Sequence, residues 1–242
     1  ISSIPGNITF TANSIDYDGG FFSAYNASNN ANSNGVFNIT GNCKVNFAST
    51  SDQFAFVGVA KTGFDINNLT ASLTIGGTFT ISGANGTFIS SLALGQETIS
   101  MGAVNIATGN NSFNTIPGST LGNGHLVNFT VTGNVLVSGG TTFFSASTQA
   151  ITMTVNGDYS MTGGSVSLKG GDNASASALN ILGGYSQSNG DFYLHNAATD
   201  ELNSGASITM TVNSNGDNTG DFSAAGGTFY FDNAATRHQI FI

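Results

Sequence analysis

Charged side chains are scarce in this sequence, since Asp, Glu, Lys and Arg make up only 7% of its 242 residues. Basic residues are the scarcest: 4 lysines and arginines stand against 13 acids, and the net charge is −9. Such a chain has few groups that can neutralise phosphates, so nucleic acids and anionic membranes are poor partners. Because no apolar run reaches the length of a membrane-spanning helix, membrane insertion is not expected either.

Cysteine is almost absent. Cys43 is the only one, which excludes an intramolecular disulfide framework and a zinc site built from several thiolates. The three histidines, His125, His195 and His238, lie far apart and none has a metal-ligand spacing. We predict that they are solvated loop residues.

In place of charge, the chain carries 30 asparagines, 29 serines and 28 threonines, together with 33 glycines. The surface is therefore expected to be polar without charge. Disorder is not expected, because 19 phenylalanines and 6 tyrosines are spread along the chain in strand-like patterns. A hydrophobic content of 39% is enough for a sizeable core.

One phrase recurs. The stretch NGDYSMTGGSVSL (156–168) returns as TGDFSAAGGTFYF (219–231), and GNVLVSGGTTFF (133–144) and GGYSQSNGDFYL (183–194) fit the same pattern. In each copy, a first glycine is followed seven residues later by a second. The pairs are Gly133 and Gly140, Gly157 and Gly164, Gly183 and Gly190, and Gly220 and Gly227.

Looser copies precede these four, at 13–24, 37–47 and 73–89. The first of them has Asn13 in the first-glycine position. Asparagine is the expected substitute if that position needs a positive φ.

Apolar residues alternate with small polar ones around the glycines, which is the period of a β-strand with one buried face. Cys43 falls in the same inward position as Tyr159 and Phe222, so we predict a buried, unreactive thiol. The predicted inward residues of the three clearest copies are Met153, Val155, Tyr159, Met161, Val166 and Leu168, then Phe129, Val131, Val135, Val137 and Phe144, then Met210, Val212, Phe222, Ala224, Phe229 and Phe231.

First-glycine spacings of 24 and 26 residues suit one coil of three strands and three turns. A unit with three half-buried strands has to stack on its neighbours to close a core. We therefore predict an all-β fold, a right-handed parallel β-helix. This three-sided β-solenoid would have irregular coils of about 24 or more residues and, at about 4.8 Å per coil, roughly eight coils would make a rod about 40 Å long. A β-sandwich of short antiparallel strands is the alternative.

The pattern indicates a single domain over 1–242, with looser coils in 1–127 and more regular coils in 128–242. The chain does not begin with methionine, and its opening ISSIPGNITF is not a leader sequence, so we expect a processed or partial chain. Terminal coils of solenoids expose core and backbone. The apolar residues at the two ends are candidates for head-to-tail assembly: Ile1, Ile4, Ile240, Phe241 and Ile242.

Candidate chemistry is sparse. Asp16, Asp18, Asp217 and Asp221 place hard oxygen ligands beside glycines, as Ca²⁺ sites do, although turn-forming aspartates explain the same pattern. We predict no cofactor, with Ca²⁺ at these positions as the alternative. Paired acids for glycoside cleavage would face each other across a cleft, whereas Asp158 and Asp221 are equivalent positions on separate copies. No enzymatic activity is predicted.

The stretch TMTV occurs twice, at 152–155 and 209–212, and strand alternation turns its threonines outward. A flat ladder of threonines is how many ice-binding solenoids meet ice, so ice binding is an alternative function. Threonine is also a common outward strand residue. Asn180 and Leu182 interrupt the expected ladder, which consists of Thr130, Thr132, Thr152, Thr154, Thr209 and Thr211.

The phrase G-[DN]-[YF]-S-x-x-G-G-[TS] resembles units of large, secreted, Asn/Ser/Thr/Gly-rich bacterial surface proteins, including haemagglutinin-type and gliding-type adhesins. The resemblance covers most of 128–231 and, more loosely, the N-terminal half. It implies an extracellular or cell-surface rod that projects, adheres or assembles, and it carries over no binding residues. Expected partners are further copies, flanking domains of the same chain, or host or environmental glycans.

The sequence therefore predicts a non-enzymatic structural or adhesive protein, either a rod of a cell-surface adhesin or a subunit of an extracellular filament. Ice binding is the alternative. A polysaccharide-binding or polysaccharide-cleaving β-helix is less favoured, because the chain offers few basic partners for catalytic acids.

Overall fold

The computed structural model describes residues 8–26, 35–58, 70–91, 96–113, 126–145, 150–170, 176–196, 208–212, 222–230 and 238–241. In chain order the strands are β1 (Ile8–Ala12), β2 (Ile15–Asp18), β3 (Phe21–Asn26), β4 (Gly35–Ile39), β5 (Cys43–Phe47), β6 (Gln53–Gly58), β7 (Thr70–Gly83), β8 (Thr87–Ser91), β9 (Gln96–Ile106), β10 (Asn110–Phe113), β11 (Leu126–Val131), β12 (Val135–Val137), β13 (Thr141–Ser145), β14 (Ala150–Val155), β15 (Tyr159–Met161), β16 (Ser165–Lys169), β17 (Ser177–Ile181), β18 (Tyr185–Gln187), β19 (Asp191–His195), β20 (Ile208–Val212), β21 (Phe222–Ala224), β22 (Thr228–Tyr230) and β23 (His238–Phe241).

These strands form three faces; each of eight coils places one strand segment on every face, and β23 adds a ninth strand to the first face. The first face contains β1, β4, β11, β14, β17, β20 and β23, the second contains β2, β5, β12, β15, β18 and β21, and the third contains β3, β6, β8, β10, β13, β16, β19 and β22. The long strands β7 and β9 run through a corner and belong to both the first and the second face. We number the coils 1 to 8 by their third-face strands, from β3 to β22.

Each strand pairs in parallel with its equivalent in the next coil, for example β14 with β17 and β16 with β19. A parallel strand pair needs a long connection, and here that connection is the rest of one coil. The predicted parallel β-helix is therefore confirmed, and the β-sandwich alternative is wrong.

The core consists of the inward residues that the alternation predicts. Tyr159 and Met161 are fully buried, and Cys43 is buried in register between Ile15 and Phe79. Exceptions occur in coil 8, where Phe222 and Phe229 are half-buried, Ala224 is exposed and Phe231 lies outside the described residues. Among the described strands, β21 and β22 have a neighbour on one side only, so these inward positions stay partly open.

Aromatic rings continue this core from coil to coil. Tyr185 stacks between Tyr159 and Phe222, with ring centroids 5.6 and 5.0 Å apart. Phe113 stacks on Phe144 at 5.6 Å. Because adjacent coils are about 4.8 Å apart, like side chains in one register position fall within stacking distance of each other.

The first glycine of the repeated phrase lies where the corners of neighbouring coils touch. The Gly157 N–H donates to the Gly133 carbonyl at 3.1 Å, and a Cβ on Gly157 would lie 2.8 Å from the Gly133 carbonyl carbon. Close approach, and not a positive φ, requires glycine at this position. The positive φ belongs to the second glycines, with 76° at Gly140, 82° at Gly164, 88° at Gly190 and 80° at Gly227.

Asn13 does occupy the first-glycine position of coil 1, because its carbonyl accepts a 2.7 Å hydrogen bond from the Gly41 N–H. A Cβ on Gly41 would lie 2.7 Å from that carbonyl oxygen. In each case the Cβ points toward the coil before it. Among the described residues no coil precedes coil 1, so the Asn13 side chain meets no such corner.

Candidate functional surfaces

The residue after the first glycine ties successive coils together. Asn134 Oδ1 accepts from the Asp158 N–H at 3.0 Å, and Asp158 Oδ1 accepts from the Gly184 N–H at 2.9 Å. In the N-terminal half, Asn42 Oδ1 accepts from the Thr78 N–H at 2.9 Å. These hydrogen bonds explain why the phrase prefers Asp or Asn after glycine, and they give Asp158 a role between coils.

Two columns of outward register positions run along the first face, which we call the threonine face. The first column is Thr9, Val36, Ser72, Thr98, Asn128, Thr152, Ala178, Thr209 and Gln239. The second column is Thr11, Asn38, Thr74, Ser100, Thr130, Thr154, Asn180, Thr211 and Phe241. Every one of these positions is uncharged, and hydroxyl side chains predominate.

Five of the six predicted ladder threonines lie in these columns, and Thr132 does not. Thr132 follows the end of β11 at the corner, where its hydroxyl lies 3.3 Å from the Gly102 carbonyl oxygen. Leu182 likewise follows the end of β17 and donates its N–H to Val155, so it does not interrupt the ladder. The residues of β17 that do interrupt it are Ala178 and Asn180.

A groove of about 300 Å³ opens on the second face, across coils 1 to 3. Lys44 Nζ lies 3.5 Å from Asp16 Oδ1 at its centre, and both side chains are exposed. The groove is lined by Ser14, Ile15, Asp16, Asn42, Lys44, Thr78 and Thr80. Sequence reasoning missed it, because these residues are up to 66 positions apart and meet only through the coil register.

The aspartates proposed as calcium ligands have other contacts. Asp16 pairs with Lys44, and Asp18 accepts a hydrogen bond from the Asn46 amide. Asp217 and Asp221 lie outside the described residues. In the described ranges, no group of three His, Cys, Asp or Glu side chains is close enough to hold a metal ion.

A buried polar column lies at the end of the third face. Ser145, Lys169 and His195 occupy one register position in β13, β16 and β19, and all three are buried. Burial lowers the pKa of the Lys169 ammonium to about 8, because the charged form loses its hydration. The prediction that the histidines are solvated is wrong for His195. His125 lies outside the described residues, and the His238 backbone belongs to β23.

This column has a signal in the sequence. Each of its residues stands five positions after a second glycine, namely Gly140, Gly164 and Gly190. Position five is the last residue of the third-face strand, where it turns back toward the core. Alignment on the glycines therefore places the three polar residues together.

The predicted assembly residues are only partly described. Ile240 and Phe241 lie in β23, in register with Met210 and Thr211 of β20. Ile1, Ile4 and Ile242 lie outside the described residues. Most of the half-buried hydrophobic residues that pack against the core belong to coils 1 and 8, namely Phe10, Ile15, Phe22, Ala24, Phe222 and Phe229.

Comparisons of the chain with models of known protein families, with curated proteins and with solved structures find no match. The function therefore has to be argued from the geometry. Among the described residues, no helix has the length and apolarity to span a membrane.

Proposed function

We propose that this chain is a non-enzymatic structural segment of an extracellular or cell-surface adhesin, a solenoid rod that holds other parts of the protein away from the cell. The observation that supports this proposal most directly is the uninterrupted parallel pairing of the third face through eight coils. A stack in which each coil contacts only its neighbours can extend without limit, and stability rises with every added interface.

The surface chemistry also supports an extracellular role. Outward positions carry hydroxyl and amide groups with little charge, so the rod is solvated without attracting polyanions. The Asp158 carboxylate accepts a hydrogen bond from the Gly184 N–H and therefore has a structural role between coils. Non-enzymatic function agrees with both features.

Two versions of such a rod differ at its ends. In a filament, a coil of one copy would stack beneath coil 1 of the next copy. That coil would bring a corner carbonyl onto the Cβ of Asn13, at the position where later coils have glycine. The Asn13 side chain thus disfavours stacking of a second copy beneath coil 1, whereas the half-buried Phe22 and Phe229 suit either version. We therefore favour a stalk, meaning a rod within one protein, over a filament of many stacked copies.

Negative-stain electron microscopy of the chain at high concentration, together with small-angle X-ray scattering, tests this proposal. Eight coils at about 4.8 Å each give an expected rod about 40 Å long. Short rods of uniform cross-section support a stalk segment. Long uniform fibres would contradict the stalk and support the filament, whereas a compact particle of equal axes would contradict any rod.

Ice binding is a second candidate, because the threonine face forms a regular two-dimensional grid. Neighbouring coils are about 4.8 Å apart, and alternate residues along one strand are about 6.6 Å apart. Hydroxyl and methyl groups on such a grid can order water as ice does. Thr152 and Thr154 lie between Asn128 and Thr130 on one side and Ala178 and Asn180 on the other.

Thermal hysteresis and inhibition of ice recrystallisation test this candidate. If the face binds ice, Thr154→Tyr should abolish both activities, because a bulky ring lifts the face from the ice surface. Ser186→Tyr places the same ring on the second face and should leave both activities intact. Absence of both activities in the unmodified chain would remove ice binding from consideration.

A further inference from the structure

The groove around Asp16 and Lys44 is a concave feature of the second face in which opposite charges meet. Lys44 Nζ and Asp16 Oδ1 are 3.5 Å apart, and the side chains are 56% and 73% exposed. At that exposure the ion pair itself contributes little to folding. Both groups can therefore exchange water for a ligand at little cost to the fold.

The groove is small. Its volume of about 300 Å³ lies at the lower end of the range of about 300 to 1,000 Å³ for small-molecule pockets. A ligand of one saturated ring fills such a volume. A longer ligand would have to extend along the open second face, where Asn105, Leu136, Ser160 and Ser186 continue the row of Lys44 and Thr80.

The donor and acceptor set of the groove selects the ligand class. The carboxylate of Asp16 only accepts hydrogen bonds, the ammonium of Lys44 only donates them, and the hydroxyls of Ser14, Thr78 and Thr80 do both. A vicinal diol can donate to the carboxylate and accept from the ammonium at once. Ile15 also lines the groove, and its side chain packs against the core.

The lining of the groove disfavours simple ions and flat aromatic ligands. Asp16 and Lys44 cancel, so an anion or a cation meets one attractive and one repulsive group at nearly the same distance. A flat aromatic ligand finds no aromatic side chain in the lining. A neutral polyol uses both charged groups at once, because its hydroxyls donate to Asp16 and accept from Lys44.

We propose that this groove binds one neutral hexose ring, with Asp16 and Lys44 on adjacent hydroxyls and Asn42, Thr78 and Thr80 on the remaining ones. This proposal extends the adhesive part of the proposed function, and its test does not depend on rod length or assembly. The affinity is expected to be in the millimolar range, because one ring makes few contacts and no aromatic side chain stacks on it.

Titration of the ¹⁵N-labelled chain with methyl α-D-glucopyranoside, methyl α-D-mannopyranoside, methyl β-D-galactopyranoside and N-acetylglucosamine tests the proposal. At least one of these sugars should shift the amide resonances of 14–16, 42–44 and 78–80 in a saturable manner. Lys44→Met and Asp16→Asn should each weaken that binding about tenfold, which corresponds to the loss of one charge-assisted hydrogen bond. Asp191→Asn removes a carboxylate from the third face and should leave the affinity unchanged.

Three results would overturn the proposal: no saturable shift with any of the four sugars, an affinity in Lys44→Met and Asp16→Asn equal to that of the unmodified chain, or the same shifts with sodium chloride alone. The dispersion of the amide spectrum shows in each case that the variant is folded. If electron microscopy shows fibres while the sugar still binds, the stalk is wrong and the groove stands. If the chain forms short rods that bind no sugar, the proposal for the groove is wrong and the stalk stands.

Discussion

The Asp158 carboxylate accepts a 2.9 Å hydrogen bond from the backbone N–H of Gly184, which lies in the next coil. The same carboxylate oxygen overlaps the place where a Cβ on Gly183 would be. The side chain that joins two coils thus forbids a side chain on the glycine beside its partner. Both residues of the G-[DN] pair follow from one contact that recurs at successive corners.

Gly183→Ala should destabilise the fold. Its Cβ would overlap Asp158 Oδ1 and lie 2.8 Å from the Gly157 carbonyl oxygen. The Gly157 backbone cannot move away without breaking the hydrogen bond that its carbonyl accepts from the Gly183 N–H. We expect a loss of about 3 kcal/mol in the free energy of unfolding, as for overpacking in a core. Urea denaturation followed by circular dichroism measures it.

Two variants control this prediction. In Asp158→Gly/Gly183→Ala the nearest obstacle is gone, so part of the lost stability should return. Gly20→Ala tests backbone conformation alone, since Gly20 has φ +98° and no atom lies within 4 Å of its Cβ position, and it should cost about 1 kcal/mol. Equal losses in Gly183→Ala and Gly20→Ala would show that close approach is not the reason for the first glycine.

Asp52 should make the fold sensitive to acid. Its carboxylate accepts from the Ala48 N–H at 2.7 Å and from the Ser49 N–H and hydroxyl, both at 2.9 Å. These hydrogen bonds, that of the Ser49 backbone foremost, hold the pKa of Asp52 below its ordinary value of 3.8. The unfolded chain therefore binds this proton more tightly, so the stabilisation is complete above the ordinary pKa and is lost as the pH falls through the folded one.

The measurement is the difference in unfolding free energy between the unmodified chain and Asp52→Asn, from about pH 6 to about pH 2. The difference should shrink as the pH falls. Ser49→Ala removes one of the three donors and should give a smaller effect in the same range. A difference that stays constant with pH would show that the hydrogen bonds do not depend on the charge of Asp52.

Much of the fold is visible in the sequence because the same steric demand recurs in every coil. The glycines mark the corners, so counting from them identifies the inward positions of Met153, Tyr159 and Cys43 correctly. Asn13 was placed correctly in the first-glycine position, but the glycines at that position are required by close approach between coils and not by a positive φ. Backbone dihedrals and approach between coils both favour glycine, and a single sequence does not distinguish them.

The candidate groove was not predictable in the same way. Ser14, Asn42 and Thr78 share a corner only because coils 1 to 3 have 28 and 36 residues between equivalent positions, and those lengths depend on insertions. The prediction that His195 is solvated is wrong because it rests on the usual partial exposure of histidine. Its burial follows from its register with Lys169, a pairing across 26 residues.

Lys169 should lower the stability of the protein at neutral pH. Burial lowers its pKa from 10.5 to about 8, so between these values the unfolded chain holds more protons and stability rises with pH. The full penalty applies below about pH 8 and amounts to about 3 kcal/mol at most. Lys169→Met keeps the apolar stem without the charge, and its gain over the unmodified chain should be larger at pH 7 than at pH 10.

Comparison of the two chains at each pH cancels the titration of Cys43 and the buried tyrosines, which both chains share. Lys44→Met lowers the net positive charge equally, from an exposed position, and so controls for long-range electrostatics. A gain for Lys169→Met that is independent of pH would mean that the folded and unfolded chains hold this proton equally well, so that burial does not lower the pKa of Lys169.

Cys43 should resist modification until the solenoid opens. Burial raises the pKa of its thiol from 9.0 to about 12, and the thiolate is the reactive form. Native protein at pH 8 should therefore react with Ellman's reagent at the rate of unfolding, and protein in urea should react at once. Ser186→Cys adds an exposed thiol on the same face, so this variant should show one fast and one slow equivalent. Two fast equivalents would mean that coils 1 to 3 open readily, and the groove on their second face would then open with them.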